Sequence, residues 1–511
     1  MMGIGLIGLS LNAQAQFARG YGGTPNDSVL CMILASDGGY ALVGKTTSGA
    51  GGYDVLVMKL TSSGALSWAK AYGGTGDEWG YSITQTTDGG YAVAGFTKSG
   101  LDSTDFLVFR LDASGNLAWS KRFGGVRNDT AFSIIQTADQ GYAVVGRTMR
   151  TGQTYSDALM LKLDASGSLV WSKGFGMGSG TYGTYWDDAY SVIQTNDGGY
   201  AILVCTRNFS AYNSDYLVVK LSASGTLTWA TRFGLRDADT PRAIIQTSDG
   251  GYLSVGWIRN TELNYYRDMF AVKLNASGTP VWYKSYGTTN YEAANSGVQS
   301  SDGGYVLAGW RRVSASDDQF LIIKIDPSGN FVWGRSFGGA GREWAYSVVP
   351  GSYAIGGWSE SYGSNNDALV LKLDDDGNYR NCVDEITFSA YTPTNFAYAS
   401  LSNVGEATPS VSEASMSLAT TDLTRSPYNI CEPVYEGLEE SSSEQEIRIT
   451  CAPVPGGISF FTSAQVALKI YTPEGQLAFT GTLGGGCNRI NMDPGVYIWE
   501  AGPCRGKVVV R

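Results

Sequence analysis

The chain contains no histidine in 511 residues. Ser-His-Asp and Cys-His nucleophile systems, His-ligated zinc or haem, and imidazole acid–base chemistry are therefore excluded. Cysteine is sparse: seven residues, an odd number, with no CxxC or other metal-type spacing. Charge is also low. Only 16% of residues are Asp, Glu, Lys or Arg, and the balance of −11 argues against nucleic acid and anionic membranes as partners. No stretch of ~18 consecutive apolar residues is present, so no transmembrane helical anchor is expected. The chain is instead rich in glycine (68), tyrosine (31) and tryptophan (13), with 43% hydrophobic residues. Turn-forming glycine beside so many aromatics points to short strands in a globular all-β protein.

Residues 1–15, MMGIGLIGLSLNAQA, form an apolar run ending in Ala13-Gln14-Ala15. The small-x-small ending is that of a signal-peptidase site, although no basic residue precedes Arg19. The alternative is an apolar first strand. Export would make disulfides permissible, and Cys382–Cys431 and Cys487–Cys504 are candidate pairs in the less regular tail. Cys31 and Cys205, inside regular strands, are expected to be buried thiols.

Internal repetition decides the fold. Asp-Gly-Gly-Tyr begins at Asp37, Asp88, Asp197, Asp249 and Asp302, with a variant at Asp139 and a degenerate copy ending in Tyr353. The tyrosines recur every 48 to 58 residues, giving seven copies. Each copy spells four short strands separated by Asp-Gly-Gly and Asp-Ala-Ser-Gly turns, whose glycines accept positive φ. Four strands per ~50 residues make one blade of a β-propeller, and seven copies make a seven-bladed ring over residues 16–382. Phe17-Ala18-Arg19-Gly20-Tyr21-Gly22-Gly23 matches Trp68-Ala69-Lys70-Ala71-Tyr72-Gly73-Gly74, a blade's outermost strand. The seventh copy has Asn381 where that tryptophan belongs. The N-terminal strand is thus expected to complete the seventh blade and close the ring.

The segment Leu111-Asp112-Ala113-Ser114-Gly115-Asn116-Leu117-Ala118-Trp119 resembles the tryptophan-docking motif of pyrroloquinoline-quinone propellers, and residues 17–382 resemble secreted bacterial seven-bladed propellers. The motif implies packing, and no cofactor-binding residues of the quinoproteins have matching positions. Beyond the ring, residues 383–435 are a Ser/Thr-rich β extension and 436–445 an acidic linker. Residues 446–511, with Val466–Tyr471, a Pro-Glu-Gly turn, Gly495-Val496-Tyr497 and the basic end Lys507–Arg511, are similar to the C-terminal sorting domain of the type IX secretion system. That resemblance implies a small Ig-like sandwich, contact with the secretion machinery, and an extracellular or outer-membrane location.

Two kinds of candidate site follow. Ten residues before each turn stands an acid: Asp27, Glu78, Asp129, Asp187, Asp239, Glu292 and Glu343. A second acid opens each third strand: Asp54, Asp105, Asp157, Asp215, Asp268, Asp318 and Asp367. The first set is either scaffold, accepting backbone N–H bonds, or a carboxylate collar at the channel mouth able to hold Ca²⁺. No other cofactor is required. The recurrent cation ending the third strand (Lys59, Arg110, Lys162, Lys220, Lys273, Lys324, Lys372) is expected to lay its stem along a neighbouring tryptophan. The irregular aromatics Trp79, Tyr182, Tyr185, Trp186, Trp257, Tyr265, Tyr266, Trp310, Trp344 and Trp358 are candidate binding residues on variable loops. The expectation is a non-catalytic surface or secreted propeller that binds a protein, a copy of itself or a polysaccharide. The alternative is a carboxylate-based polysaccharide hydrolase or lyase, which needs two acids flanking one bond.

Overall fold

The computed structural model describes residues 16–22, 26–49, 51–98, 103–149, 156–176, 186–208, 213–234, 238–259, 266–351, 353–362 and 366–378, together with the strand backbone between 384 and 510. Seven antiparallel sheets surround an axis. The first blade runs Asp27–Leu34, Tyr40–Thr46, Asp54–Leu60 and Leu66–Gly73, from axis to rim. The innermost strand of every blade contacts those of both neighbours, so the ring is closed.

Closure is made as the N-terminal motif predicts. Phe17–Gly22 pairs antiparallel with Asp367–Lys372 and becomes the fourth strand of blade seven. Met32 N–H donates to Ser347 Oγ at 2.9 Å across the same seam. The tryptophans repeat one packing device. Trp68 lies edge-on to Tyr91 of the next blade (6.1 Å), Trp119 to Tyr142 (5.8 Å) and Trp229 to Tyr252 (5.7 Å). Phe17 takes the same place against Tyr40 (6.0 Å), substituting for the missing tryptophan at the clasp. Each ring also covers the glycine of the next blade's second turn. A Cβ on Gly115, where φ is 77°, would fall 2.9 Å from the Trp68 ring. Glycine is required there both for the turn and for the docking.

The segment after the ring does more than the sequence suggests. Seven short strands follow: Asp384–Ile386, Ser389–Tyr391, Ala397–Leu401, Gly405–Ala407, Ser412–Ser415, Ala419–Asp422 and Ser426–Asn429. They add a fifth strand to blades six, five, four, three, two, one and seven in turn. The chain thus circles the propeller once, against the order of the blades, and pairs the outer edge of each. Unpaired outer strands are templates for edge-to-edge association, and this belt occupies all seven. Its last strand pairs with Phe17–Gly22, so the N-terminal clasp is held between Asp367–Lys372 and the belt. Periodicity could not reveal the belt, because strands of three to five residues carry too few side chains for a pattern.

Further on, residues 449–510 form a three-stranded and a four-stranded antiparallel sheet. Cys382 and Cys431 lie outside the described residues, as do residues 1–15 and 436–445. Cys487 and Cys504 fall on strands Gly486–Asn491 and Cys504–Val510, on separate sheets. Cys205 is a buried free thiol and Cys31 is a half-buried one.

Candidate functional site at the channel mouth

Antiparallel pairing puts the loops between second and third strands, and the crossings from blade to blade, on one face of the ring. The seven acids of the expected collar enter that face. All seven are buried, at 0–1% exposure. Four of them tie the crossing that leads into their own strand. Gly74 N–H donates to Glu78 Oε2 (2.7 Å), Gly125 N–H to Asp129 Oδ2 (2.8 Å), Thr288 N–H to Glu292 Oε2 (3.1 Å) and Gly339 N–H to Glu343 Oε2 (2.8 Å). The other oxygen of Glu78 accepts from Thr97 Oγ1 on the neighbouring strand at 2.7 Å, and Glu343 Oε1 accepts from Ser359 Oγ at 2.8 Å. Among the described residues no three acids, cysteines or histidines come together to hold a metal ion.

The third-strand acids sit beside them. A Cβ on Gly73 would fall 1.6 Å from Asp54 Oδ1 and 2.8 Å from Glu78 Oε2, so this glycine separates the third-strand acid of one blade from the first-strand acid of the next. Gly124 stands likewise between Asp105 and Asp129. Burial, opposed by hydrogen bonds from Thr148, Gly125 and Met149 and reinforced by the charge of Asp105, pushes Asp129 up to about 6. Burial also raises Asp105, Glu292 and Glu343. In blade six the register shifts by one, and Gln319 rather than Asp318 lies beside Gly338.

The recurrent cations stand in register with the blade tryptophans, as Lys59 does with Trp68, and have a second role as well. Lys59, Lys162, Lys220, Lys273 and Lys324 each bridge to the turn acid of their own blade at 2.8–2.9 Å. Lys59 Nζ also donates to Leu60 O at 2.9 Å, and the same bond recurs in blades three, four and five. They pin the Asp-Gly-Gly turn from beneath, on the face opposite the loops.

Of the candidate aromatics, Tyr182, Tyr185 and Tyr265 lie outside the described residues. Trp186 is 37% exposed just before the first strand of blade four. Trp257, Trp310 and Trp358 fall within second strands, not in the loops that follow, and Trp310 is buried at 7% exposure. Their register partners on the innermost strands are Thr240, Ala293 and Trp344. Trp310 and Trp344 stack at 5.3 Å and 14°, and Trp358 closes on Trp344 at 5.5 Å. On the other side of the opening Trp79 packs on Phe96 (5.5 Å) and Tyr53 (5.8 Å), with Lys45 Nζ 3.4 Å above the indole. Tyr266 meets Tyr291 edge-on at 5.0 Å.

A further set went unread in the sequence. Each innermost strand has a bulge three places after the acid. The bulged residues are Leu30, Tyr81, Phe132, Tyr190, Arg242, Asn295 and Tyr346. A bulge leaves its residue out of the ladder and turns it toward the axis. Tyr81 meets Phe132 at 5.4 Å, Phe132 stacks on Tyr190 at 5.2 Å, and Arg242 Cζ lies 5.1 Å above Tyr190. Asn295 Nδ2 donates to Ala345 O at 2.8 Å. Burial pushes Tyr81 and Tyr190 up to about 12, so both stay neutral at physiological pH. The column was available in the sequence as a position that varies among otherwise regular copies.

Cations sit over aromatics all around this opening. Arg147 lies 5.7 Å from the Phe132 ring, Arg267 4.2 Å from Trp257 and Arg312 5.2 Å from Tyr291. Such an arrangement orders flat apolar and cationic surface around one mouth, and suits recognition more than bond-breaking.

No protein-family model matches the chain. A 202-residue stretch is 26% identical to the regulatory protein FlaEY of Caulobacter vibrioides, covering 36% of this chain and 19% of that protein. The chain thus spans about a fifth of the curated relative it matches. Among solved structures, a protein of unknown function from Dyadobacter fermentans aligns over 71% of this chain and 95% of its own, with a TM-score of 0.39 and 11% identity. PorZ, an essential bacterial surface component of the type IX secretion system of Porphyromonas gingivalis, aligns over 94% and 93% with a TM-score of 0.19 and 7% identity. Likenesses this distant carry no functional argument. The chain's own strand pairings establish an all-β, seven-bladed propeller with an N-terminal clasp and an outer belt.

Proposed function

We propose that the protein is an exported, non-catalytic propeller of the bacterial cell surface that binds an extracellular partner at the channel mouth. One observation carries this reading: aromatic and cationic side chains line the mouth, while Glu78, Asp129, Glu292 and Glu343 hold the blade crossings. A glycosidase needs two carboxyls facing one substrate bond, and here the paired acids face each other across a buried glycine. In this reading the two sheets of residues 449–510 form the small sandwich that addresses the chain to the type IX machinery, and residues 1–15 direct it across the inner membrane.

Two measurements test the proposal. Removing residues 446–511 should leave a folded propeller in the periplasm; surface display of the truncated chain would refute the sorting role. Incubating the purified chain with acidic and neutral polysaccharides should release no reducing or unsaturated ends, and steady turnover would establish the enzyme instead.

A further inference from the structure

The mouth is not uniform in charge. Over blades five and six, Arg242, Arg259, Arg267, Arg311 and Arg312 gather on one sector, in a chain whose acids outnumber its bases by 47 to 36. Among the described residues, only Arg312 of these five has a carboxylate within ion-pair distance, with Nε 2.8 Å from Asp318 Oδ1. Arg242 Nε and Arg311 Nε are buried from solvent without a hydrogen-bond partner. The Arg267 guanidinium is held below its usual range by burial and by the positive charges of Arg259, Arg242 and Arg312.

Like charges gathered with few carboxylates in ion-pair distance raise the energy of the folded protein, and an anion relieves that cost. The presentation of these groups narrows the anion's chemistry. Arg267 Cζ lies 4.2 Å from the Trp257 ring centroid and Arg242 Cζ 5.1 Å from that of Tyr190. With one face against a ring, a guanidinium offers its N–H edge, the edge that matches a carboxylate in a planar two-point bond. Beside them the indole of Trp257 is half-exposed, and the buried Trp310, stacked on Trp344, backs the same sector. Flat indole surface beside forked N–H donors fits a sugar ring that bears a carboxylate.

We propose that the sector bounded by Arg242, Arg267, Arg312 and Trp257 is a binding site for uronic-acid residues of an acidic polysaccharide. The proposal rests on the channel mouth being the binding face, and specifies the ligand class. A dense polyanion is disfavoured by the overall charge of −11. One carboxylate per sugar ring spaces the negative charges enough for a local basic sector to hold them. Arg312, already bonded to Asp318, positions the sector's edge, and Arg242 and Arg267 receive the carboxylate.

The test is calorimetric titration of the full chain with a galacturonate tetramer, its fully methyl-esterified form, and a tetraglutamate peptide. The acid sugar should bind, the ester at least tenfold more weakly, and the affinity should fall with added salt. Arg267→Gln and Arg242→Gln should each weaken the acid sugar by about tenfold or more and leave the ester unchanged. Equal binding of acid and ester would overturn the role of the carboxylate, and needs no variant to read. Tetraglutamate binding as tightly as the sugar would overturn the saccharide assignment. Failure of all three to bind at millimolar concentration would overturn the site, while leaving surface display and partner binding by the rest of the mouth to their own tests.

Discussion

Asp129 offers a perturbation whose size and sign follow from the structure. Its carboxyl is 1% exposed, lies beside Asp105 across Gly124, and is raised to about 6 from 3.8. A group with a raised folded-state pKa contributes stability that is fully present below its unfolded value and is lost as pH rises through the folded one. Asp129 therefore stabilises the ring at pH 3.8 and below, and that contribution is gone above about pH 6. Two pKa units correspond to roughly 3 kcal/mol at ~1.4 kcal/mol per unit. Asn at this position cannot ionise, so Asp129→Asn should remove this part of the pH dependence. It exchanges one acceptor oxygen for a donor facing either Gly125 N–H or Met149 N–H, at a cost of about 1 kcal/mol at every pH. The assay is urea denaturation followed by tryptophan fluorescence at pH 4.5 and pH 7.0. The difference in stability between the two pH values should shrink by about 2 kcal/mol in the variant relative to the parent, since pH 4.5 samples only part of the shift. An unchanged difference would mean that Asp129 is ionised throughout and that the acid pair is not strained. The turn acids act with the opposite sign. Lys220 and Thr195 hold Asp197 down to about 2, and Ser300 and Lys324 do the same for Asp302, so their contribution is present above about pH 3.8 and fades as pH falls toward 2. These carboxylates are largely exposed and their effect is screened.

Three further outcomes are expected. Replacing residues 384–429 by a flexible linker should expose seven strand edges and convert the monomer to aggregates, seen by light scattering; a stable soluble monomer would show that the belt is not what guards the edges. Gln140 has φ 65° where five other copies place glycine at 79–86°, so Gln140→Gly should raise stability by up to about 1 kcal/mol in urea titration, and a loss would contradict strain at that turn. Millimolar Ca²⁺ or EDTA should leave the melting temperature unchanged, since the repeated acids already bond backbone N–H groups; a rise of several degrees with Ca²⁺ would restore the collar.

What the sequence disclosed follows from what repetition amplifies. Asp-Gly-Gly-Tyr and Asp-Ala-Ser-Gly are needed seven times because each blade needs both turns, so they give the blade count and the strand boundaries. The Phe17 clasp was legible for the same reason, as a copy of the Trp68 strand displaced to the other end of the chain. The belt was not, because backbone pairing along an existing edge demands little of its side chains. The acids were found but misplaced. Spacing locates a carboxylate at a crossing and does not say whether it points to solvent or back to the backbone four residues earlier, as Glu78 does to Gly74. The second-strand tryptophans were found, but Trp310 was taken for loop surface although it is buried in a strand and stacked on Trp344.

The contrast between kept and varied positions bears on where function sits. Lys220 with Asp197, Trp119 against Tyr142, and Glu78 with Gly74 recur because a blade cannot fold or dock without them. Recurrence of that kind is a property of the scaffold, and a chemistry built on it would be present seven times around the axis. The bulge position is under no such demand, since its residue is outside the ladder. It reads Leu30, Tyr81, Phe132, Tyr190, Arg242, Asn295 and Tyr346, one residue at the equivalent register of each innermost strand. A rigid ring with one free position per blade at its centre sets a different group in each direction. Arg242 is the single cation in that column, and it stands on the sector where the rim arginines gather. The asymmetry needed to recognise one ligand in one orientation is thus supplied by the positions that the fold leaves unconstrained.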